Sequence, residues 1–98
     1  MPGYVAILQA ELHFPDAASL KAKRKHVLTA KAQLQHRFGA SVAEVDHHDL
    51  WQRATITAAF AARDARGAEQ LAAGAERWLA GQEWELVRVE RTLVDPED

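Results

Sequence analysis

The chain has no cysteine among its 98 residues. This absence excludes disulfide bonds, thiolate nucleophiles and thiolate metal sites, and it is compatible with a reducing compartment. No apolar run approaches the roughly 20 residues that a bilayer-spanning helix needs. The N-terminal residues Met1–Val5 lack the basic and apolar regions of a signal peptide. We therefore expect a cytoplasmic protein with no membrane partner.

An overall excess of positive charge is also lacking, because the net charge is −2 and the isoelectric point is near 6.2. This argues against a protein that coats nucleic acid with its whole surface. The cations are nevertheless unevenly distributed. Between Ala17 and Ala43 there are six basic residues and no acid, so this segment carries +6 and the remainder −8. Such a charge dipole can direct one patch of an acidic protein toward an anionic partner.

The hydrophobic content of 48% and the charged content of 27% are typical of a globular protein. A chain of this length has room for one hydrophobic core, so residues 1–98 are predicted to form a single domain. Only the acidic tail, residues 95–98, is expected to fray.

The apolar pattern of the first half predicts a strand, a helix and a second strand. Apolar residues alternate from Tyr4 to Phe14, and the period becomes helical from about Ala17 to Phe38, with Asp16 or Ser19 as the N-cap. Gly39 suits the left-handed end of this helix. A short strand at 41–47 is predicted to place Ala43 and Val45 toward the core.

The second half repeats the same order of strand, helix and strand. A strand is predicted over Trp51–Ala61, a helix capped by Asp64 and ended by Gly81, and a last strand over Trp84–Val94. The order β-α-β-β-α-β predicts a ferredoxin-like α+β fold, in which two helices cover one face of a four-stranded antiparallel sheet.

The first helix carries the clearest functional signal. Its candidate contacts for RNA or another anion are Lys21, Lys23, Arg24, Lys25 and Lys31. Lys23 falls near the apolar arc, where its stem would cover the core and its ammonium would reach water. No acid lies three or four residues away to offset the cations, so they repel one another mildly. The alternative is a solvated face whose charges are balanced by acids elsewhere in the fold.

The open face of the predicted sheet lacks the aromatic residues with which RNA-recognition domains of this architecture stack bases. The equivalent positions are Ile7, Gln9, Thr55 and Thr57. Val5, Ile7 and Leu86 are expected to point outward and to favour covering of this face by a second copy, most simply as a dimer.

A second candidate site is a polar cluster formed by Asp46, His47, Asp49 and Arg53. Adjacent strand residues point to opposite faces, so His47 and His48 cannot easily share a metal ion, and no metal ligands are assigned. Arg53 is expected to pair with Glu11 on the neighbouring strand. No nucleophile has an assignable base, so we assign no catalytic residue and no cofactor, and an enzyme centred on residues 46–49 is the least favoured hypothesis. The three tryptophans are expected to pack first, with Trp51 the most exposed.

Several stretches of the chain resemble the YlxP-like family, a bacterial domain of unknown function. They are Glu11–Asp16, Ser19–Arg24, Val42–His47 and Asp49–Ala54. Two positions depart from the family pattern: Ala22 stands where an acid is common and His48 where Gln is common. The resemblance implies a ferredoxin-like fold and genes that often lie beside those for translation initiation and ribosome-binding factors. It supplies no catalytic residues.

Together these observations predict a non-enzymatic accessory domain that docks on RNA or a ribosomal particle through its basic helix. The alternative function is that of a homo-oligomeric protein-interaction module that uses the open sheet face.

Overall fold

A computed structural model describes residues 3–96. Its elements are β1 (Tyr4–His13), α1 (Leu20–Phe38), β2 (Ser41–Asp46), β3 (Arg53–Ala62), α2 (Ala65–Ala80) and β4 (Glu85–Val94). The four strands form one antiparallel sheet in the order β2-β3-β1-β4. The predicted ferredoxin-like α+β fold is confirmed. Of the tail predicted to fray, residues 97 and 98 lie outside the described residues.

The two central strands supply one side of the hydrophobic core. Alternate residues of β1 and β3 are buried, as the sequence pattern predicts, and the helices pack against this face. Many of these residues are alanines, which allow the helices to lie close to the sheet. The buried strand residues are Ala6, Leu8, Ala10, Leu12, Ala54, Ile56, Ala58 and Phe60, and the buried apolar helix residues are Val27, Ala30, Leu34, Ala68, Ala72, Ala75 and Leu79.

Local hydrogen bonds fix the helix ends. The hydroxyl of Ser19 accepts the N–H of Ala22 at 3.1 Å, so α1 begins after Ser19 rather than near Ala17. Gly39 ends α1 in the left-handed conformation at φ 66°. A carboxylate oxygen of Asp64 accepts the N–H of Gly67 at 2.7 Å and caps α2. Within residues 3–96 neither helix has the length and apolar content needed to cross a membrane.

The orientation predicted for β2 is wrong. Val42 pairs with Ala58 and Glu44 with Ile56, so Val42 and Glu44 lie on the helix side of the sheet. Val45 is the extra residue of a register shift between Glu44 and Asp46 and is 45% exposed. Because side chains alternate along a strand, reading the strand one residue out of step reverses every face assignment.

The orientation predicted for Leu86 is also wrong. The register between β1 and β4 shifts so that Glu11 pairs with Arg88 and Leu12 with Leu86, which makes Val87 the extra residue. Leu86 therefore packs against the core, while Val87 is exposed. A bulge of this kind turns the side chains that follow it to the opposite face.

Candidate nucleic-acid interface and polar groove

A basic flank runs along the solvent side of α1. It consists of Lys21, Arg24 and Lys25, which are exposed, and Lys31, which is half-buried at the margin of the helix. With 3.6 residues per turn, Lys21 and Lys25 lie opposite the buried arc of α1. Arg24 and Lys31 lie between that arc and the fully exposed side, on one flank of the helix. The sequence-predicted contacts are therefore brought together on one surface, with the exception of Lys23.

The cations of the basic flank form no ion pair with the described acidic residues. Among the residues that the structure describes, none of the four cations has a carboxylate within 4.0 Å. Lys21 lies three positions from Arg24 and four from Lys25, a spacing at which like charges repel by a few tenths of a kcal/mol per pair. A bound anion would relieve this repulsion.

Lys23 lies on the buried, sheet-facing side of α1. It is only 1% exposed, and its Nζ is 2.9 Å from Oε2 of Glu44 and donates to the carbonyl oxygen of His47. The prediction that its ammonium reaches water is wrong, because Lys23 shares the helix arc of Val27 and Ala30 and so faces the sheet. Lys23 is therefore not available to a phosphate.

The loop after β2 is held by hydrogen bonds of its own. His47 adopts φ 65° and is the only non-glycine residue in 3–96 with a positive φ. Its N–H donates to a carboxylate oxygen of Asp46 at 2.8 Å, and its carbonyl oxygen accepts the N–H of Leu50 at 3.1 Å. The His48 ring lies 3.0 Å from the carbonyl oxygen of Glu44 through Nε2. This loop, residues 47–52, thus has a defined conformation.

Gln52 ties the loop to the segment that precedes α1. Its side-chain amide donates to the carbonyl oxygens of Pro15 at 3.2 Å and Ala17 at 3.3 Å. Its own carbonyl oxygen accepts the N–H of Phe14 at 2.8 Å. β3 consequently begins at Arg53 rather than at Trp51, and Trp51 lies in the loop.

Trp51 is 53% exposed on this loop, beside Leu50 at 44%. The prediction that it is the most exposed tryptophan is confirmed, because Trp78 is half-buried and Trp84 is buried. The loop forms one wall of an open groove of about 440 Å³. The groove is lined by His13, Leu50, Trp51, Gln52 and Arg53. The sequence predicts a packing role for Trp51 and gives no sign of this groove.

A second groove of about 400 Å³ lies on the open face of the sheet. It brings Asp46 and His47 together, with His47 Nε2 3.8 Å from a carboxylate oxygen of Asp46. The other two members of the predicted polar cluster are elsewhere in the described structure: Arg53 lines the Trp51 groove, and the exposed Asp49 lines neither groove. Within residues 3–96 no group of three or more histidine or acidic side chains is placed to hold a metal ion. The groove residues are Gln9, Glu11, Asp46, His47, Thr55, Arg88 and Glu90.

Glu11 links the two grooves, because its carboxylate accepts a hydrogen bond from the guanidinium of Arg53. The predicted pairing of these residues is confirmed. The hydrogen bond from Arg53 holds the pKa of the Glu11 carboxyl below its ordinary value, and the positive charges of Arg53, His47 and Arg88 act in the same direction. Glu11 is therefore an anion at neutral pH, which suits a structural ion pair better than a general acid.

The sequence is similar to one family over most of its length. A family model described as a protein of unknown function (DUF503) matches residues 5–91. This range contains the basic flank, the loop at 47–52 and nearly all of the sheet. A comparison with curated proteins gives no match. The functional argument therefore depends on the surfaces of the chain itself.

Proposed function

The chain belongs to the DUF503 family, whose function is unknown, and we propose that it is a non-enzymatic accessory domain that docks on RNA, free or in a ribosomal particle. The contacts are the basic flank, Lys21, Arg24, Lys25 and Lys31. A single observation carries this proposal: the four cations share one helix surface and none has a carboxylate within 4.0 Å among the described residues.

The surrounding charge supports a localised contact. The protein as a whole carries a net charge of −2, so the basic flank is an island on an acidic molecule. The acidic remainder favours α1 as the side on which nucleic acid makes its first contact. The resemblance to the YlxP-like family stays a prediction, and the gene neighbourhood that it implies agrees with a ribosomal partner.

The open sheet face supports a mechanism other than that of RNA-recognition motifs. Its central positions hold Gln9, Thr55 and Thr57, none of which offers an aromatic ring to a base. Binding would then depend on phosphates and on salt. For four phosphate contacts to a single strand, the slope of log K against log salt is about −3, which is roughly 50-fold in affinity between about 50 and 200 mM salt.

The experiment compares two charge reversals of equal size. K21E/K25E changes the basic flank, and R63E/R66E changes two exposed arginines outside it, so both variants move the net charge from −2 to −6. Binding to a structured RNA with an unpaired tail is measured by fluorescence anisotropy at two salt concentrations. We expect K21E/K25E to lose most of the affinity and about half of the salt slope, and R63E/R66E to retain both. Equal losses in the two variants, or no binding by the unmodified protein, would overturn the proposal.

The homodimer through the open sheet face remains the alternative. Its apolar centre would be Val5, Ile7 and Val94, which lie side by side at one end of the face. Light scattering at high protein concentration tests it, because a dimer of this kind should dissociate in an Ile7→Lys variant. A monomer in the unmodified protein would remove this alternative and leave the RNA proposal unaffected.

A further inference from the structure

We propose that the groove around Trp51 binds an unpaired base of the RNA, with the base stacked on the indole ring. The inference rests on the proposed docking through the basic flank and names the class of RNA that this docking selects: RNA with a single-stranded segment. The bases of a duplex are stacked on each other and present no free face to a side chain, whereas an unpaired base does.

The first observation is that Trp51 is exposed on a fixed loop. The residue that follows it, Gln52, makes three hydrogen bonds to Phe14, Pro15 and Ala17, and the turn before it is closed by the bond from Leu50 to His47. The exposure of the ring is therefore a property of an ordered segment. Because the loop is already ordered, little conformational entropy is lost when a ligand stacks on the indole ring.

The second observation is the charge of the groove. Of its five lining residues the ones that can carry charge are His13 and Arg53, and both are bases. Each has a carboxylate partner, with His13 Nδ1 2.7 Å from Glu85 and Arg53 bonded to Glu11, but neither partner lines the groove. Arg53 has five N–H donors and can retain the bond to Glu11 while it donates to a phosphate. The groove thus offers an aromatic ring beside the guanidinium of Arg53, which complements a nucleotide.

The third observation is the connection between the groove and α1. The side chain of Gln52 donates to the carbonyl oxygens of Pro15 and Ala17, shortly before the Ser19 cap, and the ammonium of Lys23 donates to the carbonyl oxygen of His47. The loop is therefore fixed to the first turns of α1. Those turns also carry Lys21 and Arg24, so the loop and the first cations of the basic flank lie at the same end of the domain. In the proposed complex one RNA strand passes around this end, from phosphate contacts at the helix to a base contact at the loop.

The test uses a short mixed-sequence RNA strand and the duplex that it forms with its complement. Both are titrated into the full chain, into Trp51→Leu, which keeps apolar bulk, and into Trp51→Phe, which keeps a ring. We expect Trp51→Leu to weaken single-strand binding roughly tenfold and Trp51→Phe to weaken it less, with duplex binding unchanged. Intrinsic fluorescence should fall when the unmodified protein binds the single strand, and this quenching should be absent in both variants.

Trp78→Phe is the matched control, because it also removes one of the three tryptophans, from a half-buried position. It should retain both affinity and quenching. Single-strand affinity unchanged in Trp51→Leu, or equal losses for single strand and duplex, would overturn the stacking inference. A K21E/K25E variant that binds both RNAs as well as the unmodified protein would overturn the proposed docking instead, so the two failures are distinguishable.

Discussion

The Nζ of Lys23 lies 2.9 Å from Oε2 of Glu44 across the interface between α1 and β2. The lysine side chain is 1% exposed and the glutamate side chain 19%. The same ammonium donates to the carbonyl oxygen of His47, so the single cation connects the helix, the edge strand and the loop that carries Trp51. Glu44 Oε2 accepts no hydrogen bond from the described residues. Its contact with Lys23 is therefore an ion pair whose angles are not those of a hydrogen bond.

Replacing Lys23 by methionine is expected to destabilise the protein by about 3 kcal/mol. The substitution keeps the unbranched apolar stem but leaves the largely buried Glu44 without its countercharge and the carbonyl oxygen of His47 without a donor. The free energy of unfolding, measured in urea, checks this value. The double variant K23M/E44L should recover most of the loss, because replacing both partners of a buried pair by apolar residues is often neutral.

The exposed Lys25 provides the control for this substitution. Lys25→Met removes the same charge from the same helix, but from a side chain without a carboxylate within 4.0 Å among the described residues, and is expected to change stability by less than about 0.5 kcal/mol. If Lys23→Met and Lys25→Met are equally stable, the buried pair contributes nothing and its role in fixing the loop is also in doubt.

The fold could be predicted because each central element carries its own signal. β1 and β3 alternate along their whole length, and both have one buried face, so the period of two is unambiguous. The caps are equally local, since Ser19 and Asp64 bond to backbone groups three residues away. Local signals of this kind do not require knowledge of which segments meet in space.

The site could be predicted only in part, because its remaining features depend on distant segments. The burial of Lys23 follows from its contact with Glu44, and the register shift that exposes Val45 follows from pairing with β3. The loop that presents Trp51 is held by bonds between residues 35 and 37 positions apart. None of these relationships has a signature in the spacing of neighbouring residues.

Gly39→Ala is expected to destabilise the protein by about 1 kcal/mol. Gly39 ends α1 at φ 66°, and apart from the adjoining residues no atom lies within 4 Å of the position that a Cβ would occupy, so the cost is conformational. Gly81→Ala is the matched control, because Gly81 has φ −91° and its nearest neighbour would be at an ordinary 3.6 Å. It should be neutral or slightly stabilising. Equal effects of the two substitutions in urea denaturation would contradict the assignment of a left-handed cap.

Ser19→Ala is expected to lower stability by about 1 kcal/mol, because the N–H of Ala22 loses the hydroxyl that accepts it at 3.1 Å. For a domain of this size such a change corresponds to a fall in melting temperature of about 4–8 °C. Differential scanning calorimetry measures it. Ser41→Ala, at the exposed start of β2, removes the same hydroxyl outside a cap and should leave the melting temperature nearly unchanged. A melting temperature of Ser19→Ala close to that of Ser41→Ala would show that the cap is not stabilising.

Arg53→Gln is expected to raise the pKa of Glu11 toward its ordinary value of 4.5, because the hydrogen bond from Arg53 is the largest cause that lowers it. A group whose pKa is lowered by folding stabilises the protein fully above its unfolded pKa, and this contribution is lost as the pH falls through the folded pKa. The difference in free energy of unfolding between the unmodified protein and Arg53→Gln should therefore be present at neutral pH. It should decrease below about pH 4.5 and disappear once Glu11 is protonated in both proteins.

Carbon-detected NMR titration of the Glu11 carboxyl measures the pKa directly, and urea denaturation across the same pH range measures the stability difference. Arg63→Gln is the control, since it removes an exposed guanidinium that is not among the causes of the Glu11 shift. Arg63→Gln should leave the pKa of Glu11 unchanged. A Glu11 pKa that is the same with and without Arg53 would mean that the pairing across β1 and β3 does not persist in solution. Arg53 would then no longer be held at the rim of the Trp51 groove, and the groove would lose its guanidinium.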